Sequence, residues 1–216
     1  MDEWLPNKKM KLTKYDPEDD DRKDDKSDYR MSGNLKDGTI HTEENHIYFY
    51  SEVSKKTMLE LNREINKLST KLLDIKNRFN IKAPPIYLHI NSFGGSIFAA
   101  MSTVDTIIDC PVDVYTIIEG CAASAGTLIS VVGKKRFIRP HSCMLIHQLS
   151  TVFWGKMEEF NDEMKNLNLL MTMIKGIYQE YTSVPNKKLD EILKHDIWWD
   201  ANKCVENGLV DEIMRK

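Results

Sequence analysis

The stretch Gly120-Cys121-Ala122-Ala123-Ser124-Ala125-Gly126 sets one hydroxyl among residues too small to cover it. The residues before it, Val112-Asp113-Val114-Tyr115-Thr116-Ile117-Ile118, are rich in β-branched and aromatic side chains, which favours a strand. The mainly apolar run after it, Leu128-Ile129-Ser130-Val131-Val132, predicts a helix. We therefore predict a sharp strand-to-helix turn with Ser124 at the elbow, beside free backbone N–H groups. Close packing of a helix on a sheet would also need small residues, so other parts of the chain must decide.

Strands and helices alternate on the N-terminal side of the elbow. Ile47-Tyr48-Phe49-Tyr50 predicts a first strand, and Ile86-Tyr87-Leu88-His89-Ile90 predicts a second, buried one. Gly94-Gly95 then opens a helix that runs toward Ile108. Between the two strands, apolar residues at steps of three and four predict an amphipathic helix over residues 57–79: Met58, Leu61, Ile65, Leu68, Leu72, Ile75 and Phe79. This order predicts an α/β fold with a mostly parallel sheet and right-handed crossovers.

Further elements follow the elbow. Met144-Leu145-Ile146 predicts a strand that carries His147 near its end. Apolar residues keep helical spacing over residues 157–178, which predicts a long second amphipathic helix whose apolar stripe is packing surface. Asp200 can cap a short helix that ends at Gly208.

The composition is that of an ordinary globular protein. The chain has 216 residues, of which 41% are hydrophobic and 29% are charged, and its net charge is −3. Because there is no basic excess, we expect no nucleic-acid partner. No apolar run approaches the roughly 20 residues of a membrane-spanning helix, and Met1-Asp2-Glu3-Trp4 has the character of neither a signal peptide nor a transit peptide. We expect a cytoplasmic protein without a membrane partner.

Cysteine usage favours the same compartment. The cysteines form no close CxxC pair, and each lies within or beside an apolar segment: Cys110, Cys121, Cys143 and Cys204. We expect buried free thiols in a reducing cytoplasm.

An acidic segment precedes the predicted domain. Asp16-Pro17-Glu18-Asp19-Asp20-Asp21-Arg22-Lys23-Asp24-Asp25 lies at its centre, and branched apolar residues are almost missing from residues 8–37. Nothing in the segment fixes the geometry that a calcium site requires, so no metal site is predicted. We expect residues 1–45 to be an acidic flexible arm and residues 46–216 to form the folded domain.

Three features can converge on one edge of the predicted sheet: Ser124 at its elbow, His147 at a strand end, and the turn at Gly94-Gly95. Around them the sequence resembles the ClpP family, the proteolytic subunits of the Clp protease. The resemblance covers about residues 46–213, and four motifs carry it: Ile90-Asn91-Ser92-Phe93-Gly94-Gly95-Ser96, Ala122-Ala123-Ser124-Ala125-Gly126, Met144-Leu145-Ile146-His147-Gln148 and Val205-Glu206-Asn207-Gly208-Leu209-Val210-Asp211. It implies the ClpP/crotonase-like α/β fold, with crossover helices and a long protruding helix.

The resemblance gives each candidate site residue a role. It implies that Ser124 is the nucleophile, that His147 is the general base, and that Asp196 orients His147. The backbone N–H groups of Gly95 and Ala125 would form the oxyanion hole. The implied activity is a serine endopeptidase that cleaves unfolded proteins and peptides inside a ring-shaped chamber. It needs no intrinsic cofactor, and ATP would act only through a partner unfoldase.

The resemblance also implies partners. We expect a homo-oligomer of stacked heptameric rings and an AAA+ unfoldase that docks through apolar and aromatic surface residues. Aligned docking positions here carry His89, Glu119 and Arg139, although others keep the usual character: Tyr87, Ile117 and Phe137. Charged groups resist an apolar socket unless they are paired. We therefore expect altered and weaker docking.

Other residues compete for the site roles. His89 lies inside a predicted strand and His141 follows Pro140 in a turn, so a structural role explains both more simply. Asp200 competes with Asp196, but its position suits a helix cap.

Two other functions stay open. A crotonase-like acyl-CoA enzyme would use backbone oxyanion donors without a Ser-His-Asp set. A non-catalytic ring subunit would only scaffold active partners, and the presence of Ser124, His147 and Asp196 argues against it.

Overall fold

Residues 39–215, the part of the chain that the computed structural model describes, form one eight-stranded sheet and six helices. The strands are β1 Thr39–Glu43, β2 His46–Tyr50, β3 Ile86–Ser92, β4 Val114–Ala123, β5 Lys135–Ile138, β6 Cys143–Leu145, β7 Trp199–Asp200 and β8 Glu212–Ile213. The helices are α1 Lys55–Phe79, α2 Ile97–Ile108, α3 Ala125–Val131, α4 Met157–Tyr181, α5 Asn186–Ile192 and α6 Ala201–Glu206.

The sheet is mostly parallel, which confirms the predicted α/β class. Its strand order is β1-β2-β3-β4-β5-β8, while β6 pairs with β4 and β7 pairs with β6. The strands β2 to β5 run parallel, and α1, α2 and α3 supply the crossovers between them. The carboxyl ends of β3 and β4 consequently lie side by side, with Ser92 opposite Ala122. The candidate site forms at this edge.

The strand β1 was not predicted. It pairs antiparallel with β2, Thr39 opposite Tyr50 and Glu43 opposite His46, and Glu44 makes the tight turn at φ +51°. Its composition explains the omission, because an edge strand with polar alternating residues lacks the apolar run by which strands are recognised. Regular structure is therefore present before His46. The acidic arm itself lies outside the described residues, apart from this strand.

The helix α1 agrees closely with the predicted one. Ser54 caps it, since Ser54 Oγ accepts a hydrogen bond of 3.2 Å from the Thr57 N–H and Thr57 Oγ1 accepts one of 2.9 Å from the Ser54 N–H. Its apolar stripe packs into the core as far as Leu72, with Leu61 and Ile65 fully buried, whereas Ile75 and Phe79, which were predicted in the same stripe, are exposed.

Side chains on the strands alternate between the core and an outer face. In β2, Ile47 and Phe49 are fully buried in the core, while Tyr48 and Tyr50 point the other way. Across the strands, Tyr48 aligns with His89, His89 with Ile117, and Ile117 with Phe137. We call this outer surface the aromatic face; it carries Tyr48, Tyr50, Tyr87, His89, Tyr115, Ile117 and Phe137.

The long helix α4 protrudes, as predicted, but its apolar stripe is not buried throughout. Only Ile174 and Tyr178, near its C-terminal end, are buried. Met157, Phe160 and Met164 are exposed, and so is Trp154 just before the helix. The stripe was predicted as packing surface, and among the described residues only its C-terminal part packs on the core, whereas its N-terminal part is exposed.

Residues 39–215 were also compared with the predictions about membrane spans, metal sites and cysteines. None of their helices is long and apolar enough to cross a membrane. No group of three or more His, Cys, Asp or Glu side chains among them could hold a metal ion. The cysteines are free, as predicted, but only one of them is fully buried: Cys204.

Candidate active site

Ser124 occupies the predicted elbow between β4 and α3, in a conformation that few residues adopt. Its φ is +51° and its ψ is −127°. Such a backbone costs about 1–3 kcal/mol and persists only where its surroundings enforce it. Here the Ser124 N–H donates to the Leu145 carbonyl at 2.9 Å, and the Ser124 carbonyl accepts from the Thr127 N–H at 2.9 Å. The same carbonyl accepts a second hydrogen bond, of 2.6 Å, from the Thr127 hydroxyl.

The loop at Gly94 and Gly95 packs directly on this elbow. A Cβ at Gly94 would lie 2.7 Å from the Ala123 carbonyl oxygen and 2.8 Å from Ser124 Cβ, so only glycine permits the approach. Gly94 has φ +98° and Gly95 has φ +140°, which glycine adopts readily. Val53 anchors the loop by donating to the Gly94 carbonyl at 2.8 Å and accepting from the Ser96 N–H at 2.7 Å. Neither bond uses the N–H of Gly95.

Ala125 is the first residue of α3, directly after Ser124. The first N–H groups of a helix have no intrahelical acceptor. The N–H of Ala125 is therefore available beside the nucleophile candidate, and the small side chain leaves the approach to it open.

His147 and Asp196 are in contact. His147 follows β6, and its Nδ1 lies 3.2 Å from Asp196 Oδ1. The Gln148 N–H donates to the Leu193 carbonyl at 2.7 Å, which ties the segment after His147 to the segment before Asp196. The carboxylate of Asp196 is largely exposed, at 78%, whereas the imidazole is mostly covered, at 22%.

Ser124, His147 and Gly95 line the same small cavity, of about 90 Å³. Leu149 and Tyr178 line it as well. No hydrogen bond joins the hydroxyl of Ser124 to His147 in the described part of the chain. The structure thus brings all the sequence-predicted site residues to one sheet edge.

The rival residues lie in other surroundings. Asp200 caps α6, with its carboxylate accepting a 2.8 Å hydrogen bond from the Lys203 N–H. His141 lies in an exposed turn beyond the strand β5. His89 lies on the aromatic face, where His46 Nδ1 is 2.8 Å from His89 Nε2.

His89 belongs to a network on the aromatic face, which we call the polar cluster: His46, Tyr50, His89, Glu119 and Arg139. His89 Nδ1 lies 3.1 Å and Arg139 Nε lies 3.8 Å from Glu119 Oε1, and the Tyr50 hydroxyl donates to the same carboxylate. Burial opposes ionisation of Glu119, but the hydrogen bonds from Tyr50 and His89 outweigh it and lower the pKa of the carboxyl. Burial lowers the pKa of His89. The charged groups at the aligned docking positions are therefore paired with one another.

Sequence reasoning missed several residues that touch the site. The rings of Phe93 and Trp198 meet edge to face, with centroids 6.3 Å apart, and so connect the glycine loop to the segment after Asp196. The Thr127 hydroxyl bonds to the backbone of the elbow at Ser124, and the Tyr178 hydroxyl bonds to Thr127. A signal for Tyr178 exists, since a hydroxyl in a buried helical stripe needs a hydrogen-bond partner, but the sequence does not say which one.

Comparisons with known proteins agree with this geometry. The family model described as Clp protease matches residues 41–216. An ATP-dependent Clp protease proteolytic subunit from Streptococcus mutans is 35% identical over 153 residues, which cover 69% of this chain and 77% of that protein. The protein of the same name from Streptococcus thermophilus is 32% identical over 174 residues, which cover 76% and 88% of the two chains.

A solved structure is similar as well. A ClpP1 mutant from Listeria monocytogenes superimposes with a TM-score of 0.69 at 23% identity, covering 80% of this chain and 92% of that one. This likeness supports the fold, and the family model and the two sequence relatives support the family. The chain is therefore a divergent member of the Clp protease family.

Proposed function

We propose that this chain is a serine endopeptidase of the Clp protease type, which cleaves unfolded proteins and peptides. One observation carries the proposal. Ser124 lies at a constrained elbow and shares a cavity with His147, whose Nδ1 contacts Asp196 at 3.2 Å. A crotonase-like enzyme would need no such carboxylate behind a histidine.

The arrangement supports a covalent mechanism. Ser124 Oγ attacks the scissile carbonyl while His147 Nε2 takes its proton, and Asp196 stabilises the imidazolium through Nδ1–H. The N–H groups of Gly95 and Ala125 donate to the oxygen that becomes negative. His147 then gives its proton to the leaving amine, which breaks the peptide bond. Water attacks the acyl-enzyme with His147 again as base, releasing the new carboxyl end and restoring Ser124.

We further propose that the chain assembles into stacked heptameric rings that enclose the cleavage sites. The exposed apolar side chains of α4, among them Met157, Phe160 and Met164, support this, since a soluble chain gains by covering them with another copy. The two relatives carry the words "ATP-dependent" and "proteolytic subunit" in their names. We therefore propose that ATP acts through a partner unfoldase in the cytoplasm and that no cofactor binds this chain.

The test is labelling of the assembled protein with a fluorophosphonate, followed by mass spectrometry of its peptides. We expect one phosphonylated residue, Ser124, and no labelling or peptide cleavage in Ser124→Ala. Ser124 is half-buried, and loss of its hydroxyl changes little packing, so Ser124→Ala should fold and assemble like the wild type. An unlabelled wild-type protein that cleaves nothing would favour the scaffold subunit, and cleavage by Ser124→Ala would exclude Ser124 as the nucleophile.

A further inference from the structure

Two buried hydroxyl groups connect the elbow at Ser124 to the C-terminal end of α4. The hydroxyls of Thr127 and Tyr178 are 2.5 Å apart, and the Thr127 hydroxyl donates to the Ser124 carbonyl at 2.6 Å. Thr127 is completely buried, and Tyr178 is 2% exposed. Water therefore does not replace either partner, and the two bonds form one continuous chain.

The direction of this chain follows from proton counting. A threonine hydroxyl carries one proton, which Thr127 uses toward the Ser124 carbonyl. Tyr178 must then donate its own proton to Thr127 Oγ1. Burial raises the pKa of Tyr178, which keeps the phenol protonated and able to donate. The order is Tyr178 to Thr127 to the carbonyl of Ser124.

The carbonyl of Ser124 shares a peptide unit with the N–H of Ala125. A peptide unit is planar and rigid, so its C=O and N–H directions are fixed relative to each other. A hydrogen bond that holds the Ser124 carbonyl in place therefore also holds the direction of the Ala125 N–H. The φ of +51° at Ser124 makes such a restraint necessary, because the backbone would otherwise relax toward a commoner conformation.

We propose that Thr127 and Tyr178 are positioning residues that aim the N–H of Ala125 at the developing oxyanion. The inference rests on the proposed function, in which Ala125 is an oxyanion donor. Neither side chain reacts with the substrate; both act through the peptide unit between Ser124 and Ala125. The helix α4 thereby contributes to the oxyanion hole through its residue Tyr178.

The test compares Thr127→Val and Tyr178→Phe, which keep shape and remove one hydroxyl each, with the wild type. Removing an oxyanion donor costs about 10²–10³-fold in kcat, and a misdirected donor should cost less, about 10- to 100-fold, with KM unchanged. Affinity for a peptide aldehyde, whose tetrahedral adduct carries the oxyanion, should fall by the same factor. Thr127→Ser keeps the hydroxyl and should retain near wild-type kcat.

A matched control separates positioning from stability. Thr103 is also completely buried, and its hydroxyl contacts the Met58 sulfur at 3.2 Å, away from the elbow. Thr103→Val should lower neither kcat nor aldehyde affinity. The double variant Thr127→Val with Tyr178→Phe should recover melting temperature relative to Thr127→Val alone, because it leaves no unpaired buried phenol. Its kcat should stay low, because the Ser124 carbonyl keeps the hydrogen bond from the Thr127 N–H but still lacks the one from the Thr127 hydroxyl.

The outcomes are distinct. Unchanged kcat and aldehyde affinity in both single variants would overturn the inference, as would recovery of kcat together with the melting temperature in the double variant. A wild-type protein that no fluorophosphonate labels would instead refute the proposed function.

Discussion

Asp196 is the exposed member of the candidate triad, and Asp200 is its neighbour in a capping role. Asp196→Asn keeps the shape but no longer favours the required histidine tautomer, so we expect kcat to fall by about 10²–10⁴-fold. Asp200→Asn should keep nearly full activity, because asparagine also caps helices well. Steady-state peptide cleavage measures both. If Asp200→Asn lowered kcat by this factor and Asp196→Asn stayed active, the roles of the two residues would be exchanged.

At the scale of single residues, the candidate site residues could be picked out from the sequence, but the residues that support them could not. Ser124 and His147 stand out because small residues or a strand end leave them accessible. Thr127 gives no such signal, since its importance depends on a bond to the backbone of Ser124 and on Tyr178, which is remote in sequence. The contact of Phe93 with Trp198 is equally invisible before the fold brings the two loops together.

At the scale of elements, prediction succeeded where one chain both supplies and covers an apolar stripe. The helix α1 is the clearest case, because its stripe packs on the sheet of the same chain. It failed for β1, whose pairing with β2 comes from a tight turn rather than from an apolar run. It was incomplete for α4, because periodicity shows that a face is apolar but not which surface covers it.

Residues of β2, β3 and β4, together with Arg139 after β5, form the polar cluster, and its titration links these elements to the stability of the fold in acid. Around His89 lie His46, Tyr50, Glu119 and Arg139. The pKa values of His89 and Glu119 are both lowered from their ordinary values of 6.5 and 4.5. A group with a lowered pKa contributes stability above its ordinary value and loses it as pH falls through the folded-state value. Both groups therefore destabilise the fold in acid, His89 first.

We expect the melting temperature to fall as the pH is lowered from 7 toward 5, and His89→Gln to weaken that dependence. Glutamine can still donate to Glu119 but does not take up a proton in this range. His141→Gln is the control, because His141 lies in an exposed turn. Thermal unfolding at several pH values measures the effect. The same acid dependence in His89→Gln and wild type would show that the cluster does not titrate in this way.

At the scale of the whole molecule, the residues that the structure describes leave two surfaces whose apolar side chains are at least partly exposed. One is the exposed half of α4, and the other is the aromatic face, which the polar cluster interrupts. The proposed assembly and the proposed docking of an unfoldase would account for both surfaces, but the chemistry of the two surfaces differs. The surface of α4 is apolar, whereas the aromatic face has an ionised carboxylate at its centre, paired with His89 and Arg139.

The polar cluster on the aromatic face should weaken the docking of an unfoldase. The assembled protein should cleave short peptides unaided, because small substrates diffuse into a chamber without a motor. A standard Clp unfoldase with ATP should give little degradation of a folded substrate, since an apolar docking segment would have to displace or desolvate the paired charges. Rates of peptide cleavage and of folded-substrate loss, measured on the same preparation, test this. Rapid ATP-dependent degradation would show that the remaining apolar positions suffice for docking.

The contacts in the polar cluster decide which variant can restore coupling to an unfoldase. Replacing His89 or Arg139 alone would leave the partly buried carboxylate of Glu119 with fewer partners, which destabilises the fold. The informative variant therefore replaces His89, Glu119 and Arg139 together with apolar residues. It should gain ATP-dependent degradation while peptide cleavage stays at the wild-type rate, and adding Ser124→Ala to it should abolish both. If the triple variant folds and cleaves peptides but gains no coupling, the obstacle lies outside the aromatic face.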